Sequence, residues 1–243
     1  MKNLLTALQG KHTLVFVDFE GTQFTHEIIA TGIVKAHIDD EGNIIDHDKD
    51  GLLIYSKARC PVGKVVTRIT SITDDFLAKN GISWQDTITK IDEYLKDENP
   101  DDIVFVAFGT NDAKMVIESN RYSKPENVEI SKSWVGKFFD IMTFMSQYIR
   151  DDNGNTYSLV NFLKLFNVEP VGESHNPKND AKDLLNLYKA FISNGDIVFN
   201  EYLKVIKKMK IFPSPIKKII SNLIDGKDVT AEEFNERIKK YLA

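Results

Sequence analysis

The first strong pattern along the chain is an unbroken apolar run, Leu14-Val15-Phe16-Val17, which reads as a buried strand. Residues 26–38 (HEIIATGIVKAHI) mix β-branched and small side chains, as a second strand does. "DEGN" at 40–43 supplies a turn and "LLIYSK" at 52–57 a third strand, which predicts an antiparallel meander. In "SITDDFLAKNG", Thr73 is placed to cap a helix and Gly81 to stop it. Residues 84–97 carry Ile88, Ile91, Tyr94 and Leu95 at helical spacing. "DIVFVAFG" at 102–109 returns to strand, and "NDAKMVIES" opens a helix. "KFFDIMTFMSQYI", "SLVNFLKLFN" and "DAKDLLNLYKAFIS" each read as amphipathic helices. Three strands, then helices, a strand and mostly helices predict an α/β fold, a mixed sheet with helices on its faces.

The pattern changes near residue 196. "YLKVIKKMKIFPSPIKKII" at 202–220 holds six lysines and no acid, interrupted by Pro-Ser-Pro. This divides the chain into a main domain at 1–195 and a lysine-rich helical extension at 196–243. The favoured reading of the extension is amphipathic helices packed on the main domain. The functional alternative is a basic contact for a nucleic-acid backbone.

Composition narrows the class. At 243 residues, 42% hydrophobic and 28% charged, the chain has the make-up of a soluble globular protein able to bury a core. A net charge of -5 argues against coating nucleic acid through overall charge, though not against a local basic patch. The single cysteine, Cys60, has no internal disulfide partner, so the expected setting is a reducing cytoplasm. No apolar run suits a signal peptide or a membrane span.

The candidate chemistry begins where the first strand ends. Strand side chains alternate, so Asp18 and Glu20 share a face while Phe19 takes the other. Two like charges held together at the end of a core strand repel, and desolvation adds to the cost. A divalent cation removes that cost, and Mg²⁺ and Mn²⁺ take oxygen ligands. Two further acids stand at strand-to-helix or loop-to-helix junctions: Asp112 after "IVFVAFGTN", and Asp180 in "HNPKNDAKDLL" with His175 five residues before it. Taken singly, Asp112 and Asp180 are ordinary helix-cap or first-turn acids. Capping alone does not predict the ordered set.

That set resembles the DEDDh family of 3'→5' exonucleases, in the ribonuclease H-like superfamily. Asp18-Phe19-Glu20 is similar to the family's first motif, Asp112 to its second, and His175 with Asp180 to its third. "ITSIT" at 69–73 is similar to a segment that lines the family's nucleotide pocket. The form "FEGT" is closest to the subgroup that trims RNA 3' ends. The resemblance covers about residues 12–193, and the lysine-rich extension lies outside it.

The resemblance implies a ribonuclease H-like mixed sheet and hydrolysis of single-stranded nucleic acid from a free 3' end. The expected products are nucleoside 5'-monophosphates, with RNA favoured over DNA. It implies two divalent ions, Mg²⁺ or Mn²⁺, about 3.5–4 Å apart. Asp18 would bridge them, Glu20 and Asp180 would complete one shell, and Asp112 would serve the second ion through water. His175 would be the general base, its ordinary pKa of about 6.5 suiting that task. Gly21, Thr22, Phe24 and Ile69 would contact the terminal nucleotide, Phe24 and Ile69 as apolar wedges on the last base. A core position for Phe24 is the equal alternative. Rival functions are an exonuclease of DNA or short oligonucleotides, and a binding module without catalysis. The second is weakened because all five catalytic-type residues are present.

Other features read as structural. "DHDKDG" at 46–51 imitates a calcium loop, but Lys57 stands where a bidentate Glu is needed, so it is a turn. Asp140 reads as an N-cap, Trp84 and Trp134 as core or surface anchors, and Cys60 as a packing residue. His26, His37 and His47 lack metal-ligand spacing.

Overall fold

The computed structural model describes residues 2–209 and 211–243. Among them, six strands form one mixed sheet, in the spatial order Ile44–His47, Ile28–Ile38, Thr13–Gly21, Ile103–Ala107 and Phe138–Asp140, with Leu52–Tyr55 also paired to Ile28–Ile38. β1 (Thr13–Gly21) is antiparallel to β2 (Ile28–Ile38) and parallel to β5 (Ile103–Ala107). β5 in turn pairs in parallel with β6 (Phe138–Asp140). β3 (Ile44–His47) and β4 (Leu52–Tyr55) share the outer edge of β2, meeting different stretches of it.

The antiparallel meander is present, and it contains one strand more than its pattern announces. β3 is four residues long, too short to show a period, and ends where the acid-rich turn begins. β6 corrects the helix expected from "KFFDIMTFM": Phe138–Asp140 is strand and only Ile141–Met145 is helix. Phe138 stacks on Phe105 of β5 with ring centroids 5.3 Å apart, a tertiary contact that overrides a helix-like local pattern.

β1 is buried on both faces. Leu14 and Phe16 enter one hydrophobic core, Val15, Val17 and Phe19 the other. Alternation along the strand therefore puts Asp18 and Glu20 on the Leu14–Phe16 face. That face is covered chiefly by α9 (Pro177–Ser193), which sends Leu184, Leu187, Tyr188 and Phe191 into its core. Each such fully buried side chain contributes roughly 1.5–3 kcal/mol of hydrophobic stabilisation. α7 (Ile141–Met145) and α8 (Leu159–Leu165) pack into the same core. The opposite face is covered by α4 (Trp84–Leu95), α5 (Asn111–Asn120) and α6 (Glu129–Val135). Trp84 and Trp134 are both buried there, as anchors. A third, smaller core joins Ile29 and Ala30 to the segment holding α2 (Lys64–Thr70) and α3 (Asp74–Asn80). Thr73 caps α3 by accepting from the Phe76 N–H, and Gly81 follows the last turn.

The lysine-rich segment forms α10 (Gly195–Lys208), α11 (Ser214–Ile224) and α12 (Ala231–Leu242). Val198, Tyr202, Ile206, Ile216, Ile238 and Leu242 join the core that holds α9. α1 (Lys2–Ala7) joins it through Leu4, and Asn3 donates to the Tyr241 carbonyl at 3.1 Å. Lys207, Lys217 and Lys218 are exposed, Lys204 pairs with Glu201, and Lys208 donates to the Asp152 carbonyl. Lys210 lies outside the described residues. No helix among the described residues is long and apolar enough to cross a membrane.

Candidate active site

Three elements converge at the end of β1. The β1–β5 pairing runs only to Phe16 and Val106, so the strands part just before Asp18. α5 starts in the gap, and its first-turn residue Asp112 turns back to accept the Phe19 N–H at 3.0 Å. A register shift between Glu20 and Gly21 then ends the strand's regular pairing with β2. From the third direction α9 brings Asp180 in its first turn, where the helix dipole favours an acid.

The start of α9 is built by its own side chains. Asn176 caps it, accepting from the N–H groups of Lys178 and Asn179, and Pro177 fills the first helical position. Asp180 accepts the His175 N–H at 3.0 Å. Asp183, one turn on, accepts the Val171 N–H at 2.8 Å, and the Asn179 amide donates to the Glu173 carbonyl at 3.2 Å. His175 sits in the left-handed region at φ 63°, with its side chain 56% exposed and Nδ1 3.8 Å from Glu20 Oε1.

The electrostatics follow from this crowding. Burial and then the charges of Asp112, Asp180 and Glu20 hold the Asp18 carboxyl well above the usual carboxylate range. Burial, then Asp180 and Asp112, push Glu20 up to about 7. Burial pushes Asp112 up to about 7 although the Phe19 N–H favours its charged form. Burial also raises Asp180 to about 6, against the lowering effect of the His175 N–H and its imidazole. Four carboxyls that resist ionising together form a site built for positive charge. Carboxylate oxygens of Glu20 and Asp180 and a ring nitrogen of His175 lie within 4.8 Å of one another. The carboxylate oxygens of the group are hard ligands that fit Mg²⁺ or Mn²⁺, and Asp18 and Asp112 couple to them electrostatically from outside that close group.

The residues expected at a nucleotide divide into two groups. Phe24 is 79% exposed and Ile69 on α2 is 43% exposed, so Phe24 is not a core residue. Gln23 ties their two segments together, its amide oxygen accepting the Val65 N–H at 3.1 Å. Thr22 instead is buried, its hydroxyl bonded to Thr25 and to the Glu27 N–H inside the turn. Gly21 closes the strand against Met115, whose sulfur would lie 3.1 Å from a Cβ there. A cavity of about 430 Å³ opens beside it, lined by His26, Asn111, Lys114 and Met115. A further cavity, about 650 Å³ between residues 146–154 and α10, shares no lining residue with the acid cluster.

Several supports of the site carry a weak sequence signal or none. Asn176-Pro177 carries a legible cap signal, an Asn before a helix-starting Pro. Asp183 and Glu27 carry none. Glu27 is buried and accepts the N–H groups of Arg59 and Cys60, fixing the loop beside the Phe24 turn. Asp140 caps α7 through the Thr143 N–H and also accepts the Gly109 N–H at 3.0 Å. Asp48 of the calcium-like stretch accepts the Tyr94 hydroxyl and serves a turn.

No known family's sequence profile matches the chain, and no curated protein matches it in sequence. Solved structures do match in fold. A 3'-exonuclease described for 3'-end-specific recognition of a histone mRNA stem-loop is 16% identical, with TM-score 0.60. The match covers 76% of this chain and 65% of that one, so the chain spans less than two thirds of that relative. The nuclease domain of 3'hExo, described as a DEDDh family member bound to rAMP, is 16% identical at TM-score 0.58, covering 76% and 94%. Escherichia coli exonuclease I with a dT13 oligonucleotide is 15% identical at TM-score 0.55, covering 78% and 43%. The chain therefore has the α/β fold of the DEDDh 3'-exonucleases, with its own acid cluster at the end of β1.

Proposed function

We propose that this protein is a divalent-metal-dependent 3'→5' exonuclease that shortens single-stranded nucleic acid, RNA in preference to DNA, releasing nucleoside 5'-monophosphates. The observation that carries the reading is the convergence of Asp18, Glu20, Asp112 and Asp180, with carboxyls raised by burial and, for Asp18 and Glu20, by mutual repulsion. Structures of like fold are described with a histone mRNA stem-loop, with rAMP and with DNA oligonucleotides, which supports a nucleic-acid substrate.

Asp18, Glu20 and Asp180 would hold one cation, and Asp18 with Asp112 a second, Asp112 chiefly through water. Bound in this way, the pair supplies charge stabilisation for the attacking and leaving oxygens of an in-line displacement. The chain's own residues do the rest. Phe24 and Ile69 offer exposed apolar faces to the last base, tolerant of its identity. His175, on the rim near Glu20, takes the proton from the attacking water at a ring nitrogen, and its exposure gives that proton a path to solvent.

The test compares 5'-labelled single-stranded RNA, single-stranded DNA and duplexes with recessed or overhanging 3' ends, in Mg²⁺ and in chelator. Stepwise shortening from the 3' end that needs the cation is the expected result, fastest on single-stranded RNA. No shortening of any substrate rejects the reading. Faster loss of DNA or of very short oligonucleotides moves the substrate class while keeping the site.

A further inference from the structure

Gly32 of β2 is the register partner of Asp18. A Cβ on Gly32 would fall 2.0 Å from the Pro177 carbonyl carbon, 2.1 Å from its oxygen and 2.2 Å from the Lys178 nitrogen. These are backbone atoms of the start of α9, so no rotamer change relieves the overlap. Gly32 is absent from the positive-φ positions, and its neighbours Thr31 and Ile33 are ordinary strand residues. The backbone there accepts any residue. What excludes a side chain is the helix resting directly on the strand.

That helix start is one body with the histidine loop. Asp180 holds the His175 N–H, Asn176 caps the helix, Asn179 holds Glu173 and Asp183 holds Val171. Raising the first turn of α9 therefore carries Asp180 and His175 away from Asp18 and Glu20 together.

We propose that Gly32 is a positioning residue of the acid cluster. By having no side chain it sets the height of α9 over β2, and so the spacing between the Asp180–His175 body and the Asp18–Glu20 pair. The inference rests on the metal-dependent reading of the site. An alanine must lift the helix by about 1.4 Å to bring the 2.0 Å approach to ordinary contact at 3.4 Å, and a misplacement of about 1 Å already costs on the order of 10²-fold in rate. Cation sites tolerate only about 0.2 Å in ligand distance, so affinity suffers as well.

The test uses the full chain as wild type, as Gly32→Ala and as Val104→Ala, a truncation in β5 within the core that α9 covers, which leaves the backbone approach of Pro177 to Gly32 in place. Mn²⁺ affinity is measured by calorimetry per folded molecule, with the folded fraction set by circular dichroism at low temperature. Turnover of labelled single-stranded RNA is measured alongside. Gly32→Ala is expected to lose at least about 10-fold in Mn²⁺ affinity and about 10²-fold in kcat, with KM little changed. Val104→Ala is expected to lose thermal stability while keeping wild-type Mn²⁺ affinity. Wild-type Mn²⁺ affinity in folded Gly32→Ala overturns the proposal, as does an equal loss in Val104→Ala. A Gly32→Ala chain that never folds overturns it too, since the glycine would then serve the fold as a whole. Failure of the metal-dependent reading looks different: wild type itself then binds no Mn²⁺ and cleaves nothing.

Discussion

The Phe19 N–H donates to the Asp112 carboxylate at 3.0 Å, so the acid that follows β5 also straps the end of β1. The bond bridges the place where the β1–β5 pairing has stopped, and Asp112 is 7% exposed. One side chain thus serves both as strap and as charge. The two roles separate by substitution. Asp112→Asn keeps an acceptor for Phe19 and removes the charge, whereas Asp112→Ala leaves a buried N–H unpaired at a cost of roughly 1–3 kcal/mol. Both variants are expected to lose hydrolysis. Thermal melts are expected to show Asp112→Ala clearly below wild type and Asp112→Asn at or above it in the absence of cation. Equal melting of the two would remove the strap.

The Asp18 carboxyl is held well above the usual carboxylate range, through burial first and then its three acidic neighbours. Asp18→Ala is expected to keep less than a few per cent of wild-type turnover, while binding of a short oligonucleotide survives in part. Binding draws on Phe24, Ile69 and the backbone, the chemistry on the carboxylate. Turnover above that level in the variant rules out a central role for Asp18 in holding cations.

The raised carboxyls fix the sign of the pH dependence. Glu20 and Asp112 titrate near 7 and Asp180 near 6 in the folded chain, above the usual unfolded values of about 4. Between those limits the folded form binds more protons than the unfolded form, so stability falls as pH rises. The stabilising contribution is full below about pH 4 and is lost as pH passes through about 6 to 7. Melting temperatures in chelator are therefore expected to drop from pH 5 to pH 8, after allowance for the rest of the chain. Saturating Mn²⁺ should flatten or reverse that slope, because cation and proton compete for the same oxygens. Parallel slopes with and without Mn²⁺ would argue that no cation binds there.

Much of this site was legible in the sequence, and the physical reason differs by residue. Strand alternation alone places Asp18 and Glu20 side by side, and the pattern of "SITDDFLAKNG" alone predicts the Thr73 cap. Asp112 and Asp180 stand out only through motif order, since each by itself looks like a first-turn acid. Phe24 could not be assigned to core or surface, because residue type does not say what covers a side chain. Phe138–Asp140 read as helix because three residues are too few to show a strand period. Gly32 was invisible: a glycine inside a strand looks like a weakness until the helix that rests on it, 145 positions later at Pro177, is in view.

His175 offers a clean test of the general base. Its side chain is 56% exposed, and its backbone N–H, not its ring, makes the bond to Asp180. Alanine at φ 63° would add backbone strain, whereas asparagine tolerates that region. His175→Asn is therefore the better variant: kcat is expected to fall roughly 10²–10⁴-fold with stability and Mn²⁺ affinity nearly unchanged. A folded variant that cleaves at wild-type speed removes His175 from the chemistry.

The exposed lysines of α10 and α11 bear on long substrates. If they only solvate packed helices, Lys207→Glu, Lys217→Glu and Lys218→Glu together should change binding of a dinucleotide and of a long single strand alike. That equal effect is the expected outcome, because α10 and α11 are anchored by Tyr202, Ile206 and Ile216. A selective loss on long strands, with a shallower dependence on salt, would instead assign the lysines to a phosphate backbone.

The meeting of α1 with α12 shapes how the chain reaches its folded state. Leu4 shares a core with Ile238 and Leu242, and Asn3 holds Tyr241, a separation of 238 positions. During synthesis the apolar side of α1 emerges well before α12 and waits for that partner until the turns of α12 are made. Until then the surface of α10 that α12 covers stays open to water. The sheet can pair early, but the part of the core shared by α1 and α10 closes only when α12 arrives, which makes that step one at which an unfinished chain is exposed to aggregation.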